Sequence, residues 1–206
     1  MDESVASTEE INGLLPQTQC KLCGYQNCMS YAKGIFNDDA PLNLCPPGGE
    51  ATRIRLAALM GTALSSDRIL LPEPKKFYAL IEESDCIGCT KCLVECPTDA
   101  IIGAKARVHT TVEEWCTGCG LCAPVCPVDC IEIKVETDAS RRALSSTIAR
   151  QRYQQHLQRL EKKRDNTSEQ TYATFDHSSE EEMRNIIKAA VARKSAKEDS
   201  LSKAAT

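Results

Sequence analysis

Residues 86–97 read Cys-Ile-Gly-Cys-Thr-Lys-Cys-Leu-Val-Glu-Cys-Pro, and residues 116–127 read Cys-Thr-Gly-Cys-Gly-Leu-Cys-Ala-Pro-Val-Cys-Pro. Both have the form C-x2-C-x2-C-x3-C-P, and the second begins 30 residues after the first. Thiolates at this spacing are the ligand set of a bacterial-type [4Fe–4S] site. Three cysteines in a tight loop can hold three irons of one cubane. The fourth iron must be reached from elsewhere, and in a doubled site the last cysteine of the other copy reaches it. The expected sets are therefore Cys86, Cys89, Cys92 with Cys126, and Cys116, Cys119, Cys122 with Cys96. The proline after each fourth cysteine fixes φ and removes a donor, which suits a chain turning away from a buried group. Zinc knuckles instead pair two CxxC units across a longer loop. A disulfide framework implies an oxidising compartment, and the acidic start MDESVASTEE has no apolar signal core.

Upstream, Cys20-x2-Cys23-x4-Cys28-x16-Cys45-Pro46 supplies four more cysteines. They make a complete ligand set without borrowing. An all-cysteine zinc site fits the same four residues. The linked doubled run favours a third [4Fe–4S] cluster, because it would extend a redox chain. Twelve of the thirteen cysteines are then used, leaving Cys130. It is expected to be a buried structural thiol near a cluster, with a substitute ligand or redox sensor as the alternative.

The expected fold is α+β in three parts. Residues 1–64 form a small four-Cys [4Fe–4S] domain with flanking helices, followed by a linker at 65–76. Residues 77–139 form a two-cluster ferredoxin-type domain, and residues 140–206 a basic helical tail, partly disordered. Ser7-Thr8-Glu9-Glu10 is a capping box before Ile11, Leu14 and Leu15. Helices are expected over 28–36 and 50–64. Strands are expected over 77–83, 100–102 and 131–135, the last alternating apolar and polar residues. Ile87, Val94, Ile101, Leu121, Val125 and Ile131 are expected to keep water from the clusters. Trp115 reads as a packing residue, with a docking contact as the alternative. His109, His156 and His177 stand at no ligand spacing and read as ordinary.

Charge divides the chain. Residues 1–140 carry 11 Lys+Arg against 20 Asp+Glu, and residues 141–206 carry 14 against 9. The acidic part suits docking to a basic redox partner, or solvation alone. The basic stretch 140–166, with Leu144, Ile148, Leu157 and Leu160, reads as a surface helix. It could be a solvated helix, a docking arm or a nucleic-acid-binding segment. The last lacks aromatic interleaving and any recognisable nucleic-acid fold. Residues 165–178 read as disordered. Ser179-Glu180-Glu181-Glu182 is a second capping box before Met183, Ile186, Ile187, Ala190 and Val191, and the end from 195 reads as frayed. No apolar run approaches the ~18 residues needed to span a bilayer.

The stretch Leu15-Pro16-Gln17-Thr18-Gln19-Cys20-Lys21-Leu22-Cys23-Gly24-Tyr25-x-x-Cys28, with Cys45-Pro46-Pro47-Gly48-Gly49 after it, resembles the B component of the Rnf/Rsx-type electron transport complex. Cys126-Pro127-Val128-Asp129-Cys130-Ile131 and the order of parts resemble that family too. The resemblance covers roughly residues 8–138. It implies a bacterial membrane-bound complex that moves electrons between ferredoxin and NAD pools, coupled to ion translocation. Its other subunits would be the partners. Family members begin with a transmembrane helix, and this sequence shows none. The expectation is a form lacking that helix, cytoplasmic or peripheral on the cytoplasmic face of the bacterial inner membrane. With twelve ligands assigned, no iron is left for a substrate, and no nucleophile–base pair or dinucleotide fingerprint is seen. The expected function is single-electron relay through three [4Fe–4S] clusters. The alternatives are a free soluble polyferredoxin-type carrier and, further off, a redox-responsive nucleic-acid-binding regulator.

Overall fold

The computed structural model of the chain describes residues 6–63, 73–137, 144–169, 181 and 184–193. The expectations for residues 65–72, Arg141, Arg142, residues 170–178, His177, the capping box at 179–182 and the end from 195 lie outside the described residues.

Three helices build the N-terminal unit: α1 (Thr8–Leu14), α2 (Cys28–Asp38) and α3 (Gly49–Leu59). The Ser7 side chain accepts from the Glu10 amide, and the Glu10 carboxylate accepts from the Ser7 amide, so the capping box forms as read. Such a cap is worth about 1 kcal/mol. Asn27 caps α2 by accepting from the Ser30 amide at 2.8 Å. The unit's core gathers Ile11, Leu15, Tyr31, Ile35 and Leu56 around Cys45. Each fully buried aliphatic side chain contributes roughly 1.5–3 kcal/mol. The α3 helix ends five residues before the expected boundary at 64.

The doubled domain is two antiparallel strand pairs. β1 (Phe77–Ile81) pairs with β4 (Ile131–Val135), and β2 (Ile101–Ile102) pairs with β3 (Thr110–Thr111). The strand before each cysteine run thus pairs with the strand after the other run. The 30-residue repeat is visible in the hydrogen bonds: Glu82 donates to the Cys130 carbonyl, and Val112 donates to the Ala100 carbonyl. Asp99 and Asp129 both take φ of +49. The short helix α4 (Lys91–Glu95) and a 3-10 turn (Glu113–Trp115) complete the domain. Neither they nor β3 are foreseen in the sequence.

The core of this domain is rich in sulfur. Cys92, Cys96, Cys122, Cys126 and Cys130 are buried together with Ala79, Ala100, Ile101, Val128 and Ile131. Val94 does not join them. It is 47% exposed, and α4 turns the neighbouring Leu93 inward instead.

The basic stretch forms α5 (Ser146–Glu169), a 24-residue helix that also includes residues 165–169, expected to be disordered. Arg150, Arg152 and Arg159 turn toward the rest of the molecule, while Lys162 and Lys163 are exposed. Arg150 pairs with Glu9 of the N-terminal unit. Arg152 donates to the Thr98 carbonyl at 2.7 Å, and its guanidinium lies 3.7 Å over the Trp115 ring. His156 and Arg159 both bind the Asp99 carboxylate. α5 therefore ties both halves of the molecule together. Residues 184–193 are helical, and Ala190 is buried in the core of the doubled domain, while Ile186 and Val191 stay exposed. Among the described residues no helix is long and apolar enough to cross a membrane.

Candidate iron–sulfur centres

All thirteen cysteines are free thiols. Twelve of them line three small cavities. Cys20, Cys23, Cys28 and Cys45 line one. Cys86, Cys89, Cys92 and Cys126 line another, which Cys130 also borders. Cys116, Cys119, Cys122 and Cys96 line the third. The last cysteine of each run thus lines the other run's cavity.

The loops that carry the cysteines are shaped for close approach. Gly88 and Gly118 occupy matching places in the two runs, with φ of +68 and +67. A Cβ at Gly88 would meet the Arg107 amide nitrogen at 2.5 Å, and one at Gly118 the Phe77 carbonyl at 2.2 Å. In the N-terminal site, Gln17, Gln19 and Lys21 take positive φ although none is glycine. The alternation turns the amides of Gln17 and Gln19 toward the Cys28 sulfur, as in an anion-binding nest. The conformation is held from below. Gln17 donates to Asn12 Oδ1 at 2.9 Å, Gln19 to Gln17 Oε1 at 3.0 Å, and Gln19 Oε1 accepts from the Cys28 amide at 2.9 Å. Buried Tyr31 donates to the Pro41 carbonyl at 2.6 Å and accepts from the Leu44 amide, fixing the loop that delivers Cys45. Sequence reasoning missed this glutamine network. Its one signal is two glutamines flanking a threonine where loops usually carry glycine or aspartate.

Burial pushes the thiols of Cys45, Cys92, Cys119 and Cys122 up to about 12, and that of Cys28 to about 11. Left alone, such sites hold neutral thiols. A cationic iron–sulfide core supplies the charge that lets thiolates reside there, so the donor set fits a metal cluster. Cys126 departs from this pattern. A hydrogen bond from Cys130, at 3.4 Å between sulfurs, brings its thiol below the ordinary range, while Cys130 is pushed strongly up.

His109 and His156 both do more than the sequence reading allowed. His109 is 1% exposed and borders the Cys86 cavity, with Nδ1 3.3 Å from the Cys92 sulfur. His156 donates to Asp99 Oδ1 at 2.7 Å. Trp115 is half-exposed beneath Arg152. Between the two units lies an open groove bordered by Cys20 and Cys116, where Thr117 donates to the Thr18 carbonyl at 3.3 Å.

A family profile described as a 4Fe-4S dicluster domain matches residues 79–133, and an Fe-S cluster profile matches residues 15–47. The B component of the ion-translocating oxidoreductase complex of Vibrio cholerae is 55% identical over 130 residues, covering 63% of this chain and 66% of the relative. The protein of the same name from Aliivibrio fischeri is 53% identical over 131 residues, covering 64% and 67%. That from Vibrio campbellii is 54% identical over 130 residues, covering 63% and 66%. The chain spans about two thirds of the length of the curated relatives it matches. It is an iron–sulfur electron-transfer protein and belongs to the family of B components of ion-translocating oxidoreductase complexes.

Proposed function

We propose that the chain holds three [4Fe–4S] clusters and relays single electrons along them as part of an ion-translocating oxidoreductase complex. The ligands are Cys20, Cys23, Cys28 and Cys45 for the first. Cys86, Cys89, Cys92 and Cys126 hold the second, and Cys116, Cys119, Cys122 and Cys96 the third. The observation that carries this reading is the crossed lining of two cavities by four cysteines each, with a third four-cysteine cavity in the N-terminal unit. Bound clusters supply one-electron redox chemistry. The protein's part is to bury the ligands, hold the sulfurs with amide donors and keep the sites at fixed separation.

The order of the relay follows from the packing. Cys20 and Cys116 border one groove, and the Cys116 and Cys86 sites share one core. Electrons would therefore pass between the N-terminal site and the Cys86 site by way of the Cys116 site. α5 favours this order by gripping Glu9 and Asp99 at once. Because Arg150, Arg152 and Arg159 are occupied inside the molecule, α5 offers little to nucleic acid. The partners are other subunits of such a complex. The chain would then lie at the cytoplasmic face of the membrane.

Iron and acid-labile sulfide analysis with EPR on anaerobically purified protein tests the cluster number. About twelve irons and twelve sulfides per chain are expected from three cubanes. Clearly fewer, or zinc held at Cys20–Cys45, would defeat the three-cluster reading. Recovery with membrane subunits in a pull-down from native cells is expected. Recovery alone in the soluble fraction would favour a free polyferredoxin-type carrier.

A further inference from the structure

We propose that His109 and Cys130 raise the reduction potential of the site built from Cys86, Cys89, Cys92 and Cys126 above that of its repeat-related neighbour. Electrons arriving in the doubled domain then settle at the Cys86 site. The inference rests on the three-cluster reading above.

The repeat supplies an internal control. Thirty residues before His109 stands Ala79, and thirty before Cys130 stands Ala100. The main-chain donors are the same in both halves. The His109 amide donates to the Cys86 sulfur at 3.4 Å, and the Ala79 amide donates to Cys116. The Ala100 amide donates to Cys96 at 3.2 Å, and the Cys130 amide donates to Cys126. The side chains differ. Only the Cys86 site gains an imidazole 3.3 Å from Cys92 and a thiol 3.4 Å from Cys126. At the other site two hydroxyls approach ligand sulfurs, and each gives its proton to a carbonyl: Thr98 Oγ1 lies 3.9 Å from the Cys96 sulfur and donates to the Trp115 carbonyl at 2.8 Å, and Thr117 stands beside Cys119 and donates to the Thr18 carbonyl at 3.3 Å.

The direction of both bonds follows from the ligands. A sulfur bound to iron carries no proton, so Nδ1 of His109 and Sγ of Cys130 must donate. Nε2 of His109 is then a buried ring nitrogen without a hydrogen-bond partner among the described residues. A buried polar ring whose side-chain hydrogen bond goes to a sulfur is a poor choice for packing alone, since an apolar side chain would avoid the orphan. The neighbouring chain also makes room for it. A Cβ at Gly103 would lie 2.2 Å from His109 Cδ2. Donors to ligand sulfurs stabilise the more negative, reduced state, and hydrogen bonds to the sulfurs are among the determinants of cluster potential.

The test uses His109→Ala and Cys130→Ala, which copy the residues of the other half, in the full chain with its clusters. Redox-poised EPR is expected to show one potential falling in each variant while the other two hold. In the double variant the reduced-to-oxidised ratio of that site at fixed potential falls about tenfold, which is about 59 mV for a one-electron couple. Unchanged potentials with full iron content would overturn the inference. If a variant loses its iron, the wild-type protein decides. With 15N confined to histidine, the cluster of the doubled domain that is reduced before its neighbour is expected to carry a 15N coupling. Its absence there contradicts the inference. Wild-type protein with fewer than three clusters would instead strike the reading beneath it.

Discussion

The two cysteine runs of the doubled domain are identical in spacing and unequal in surroundings. Each run meets a glycine at φ near +68, an aspartate at φ +49, and amide donors at matching places. Yet one cavity is bordered by His109 and Cys130, where the other has Ala79 and Ala100. The repeat builds the ligand cage, and residues outside its motif individualise it. A motif therefore announces what a site holds and is silent on how its two copies differ. The N-terminal unit makes the same point by contrast. It has a comparable cavity but holds its loop with glutamines rather than with strand amides.

Removing iron separates these regions most widely. Among the described residues, five of the twelve buried in the doubled domain's core are cysteines, whereas the N-terminal unit's core has Cys45 alone among residues such as Ile11, Leu15, Tyr31 and Leu56. Chelation is expected to abolish amide protection throughout 77–135 and to leave measurable protection in α1–α3, read by hydrogen exchange. Equal loss in both regions would break the contrast. The metal-free N-terminal unit also has a defined pH response. The thiols of Cys28 and Cys45 are raised to about 11 and about 12 from an unfolded value of about 8.5. Folding then favours the neutral thiol. Apo stability should fall as pH rises from about 8.5 toward 12, while iron binding, which takes the thiolate, strengthens over the same range.

Glycine substitution sharpens the comparison at a smaller scale. Gly118→Ala would press a Cβ to 2.2 Å from the Phe77 carbonyl, and Gly88→Ala to 2.5 Å from the Arg107 amide, both backbone atoms. Each is expected to cost about 1–3 kcal/mol in thermal unfolding and to deplete its own site of iron first. Equal depletion of both sites by either variant would show that the halves do not act separately.

What could be read beforehand divides along physical lines. The cysteines that line each cavity could be grouped beforehand because cubane chemistry constrains cysteine spacing directly, and their ligation is the proposal above. The α1 cap was legible because Ser7 and Glu10 satisfy each other locally. His109 was not, since its role depends on a pairing 17 residues distant, between a ring and Cys92, that no spacing rule encodes. The inward turn of α5 was hidden for the same reason. Its arginines look like a solvated basic face until Asp99 and Glu9 are seen opposite them. Val94 misled because α4, one turn long, exposes it while burying Leu93 nearby.

The smallest expected effect concerns α5. Asp99 lies under His156 and Arg159. Burial pushes its carboxyl up, but these two partners outweigh burial and hold it below the usual range. A depressed carboxylate adds stability above its unfolded value of about 3.9 and loses it as pH falls through the folded value. α5 is therefore expected to loosen only below about pH 4. Asp99→Asn should lower stability by about 1 kcal/mol or less, because the pair is partly exposed, and should raise exchange in α5 without changing iron content. Loss of iron in that variant would mean that the strap also holds a cluster.

The account stands or falls on crossed ligation. Cys96→Ser and Cys126→Ser, each purified anaerobically and examined by EPR at controlled potential, test it directly. Cys126→Ser is expected to remove or alter the signal that also disappears in Cys86→Ser, and Cys96→Ser the signal that disappears in Cys116→Ser. If Cys96→Ser instead abolishes the same signal as Cys86→Ser, each run keeps its own fourth cysteine and the account is wrong.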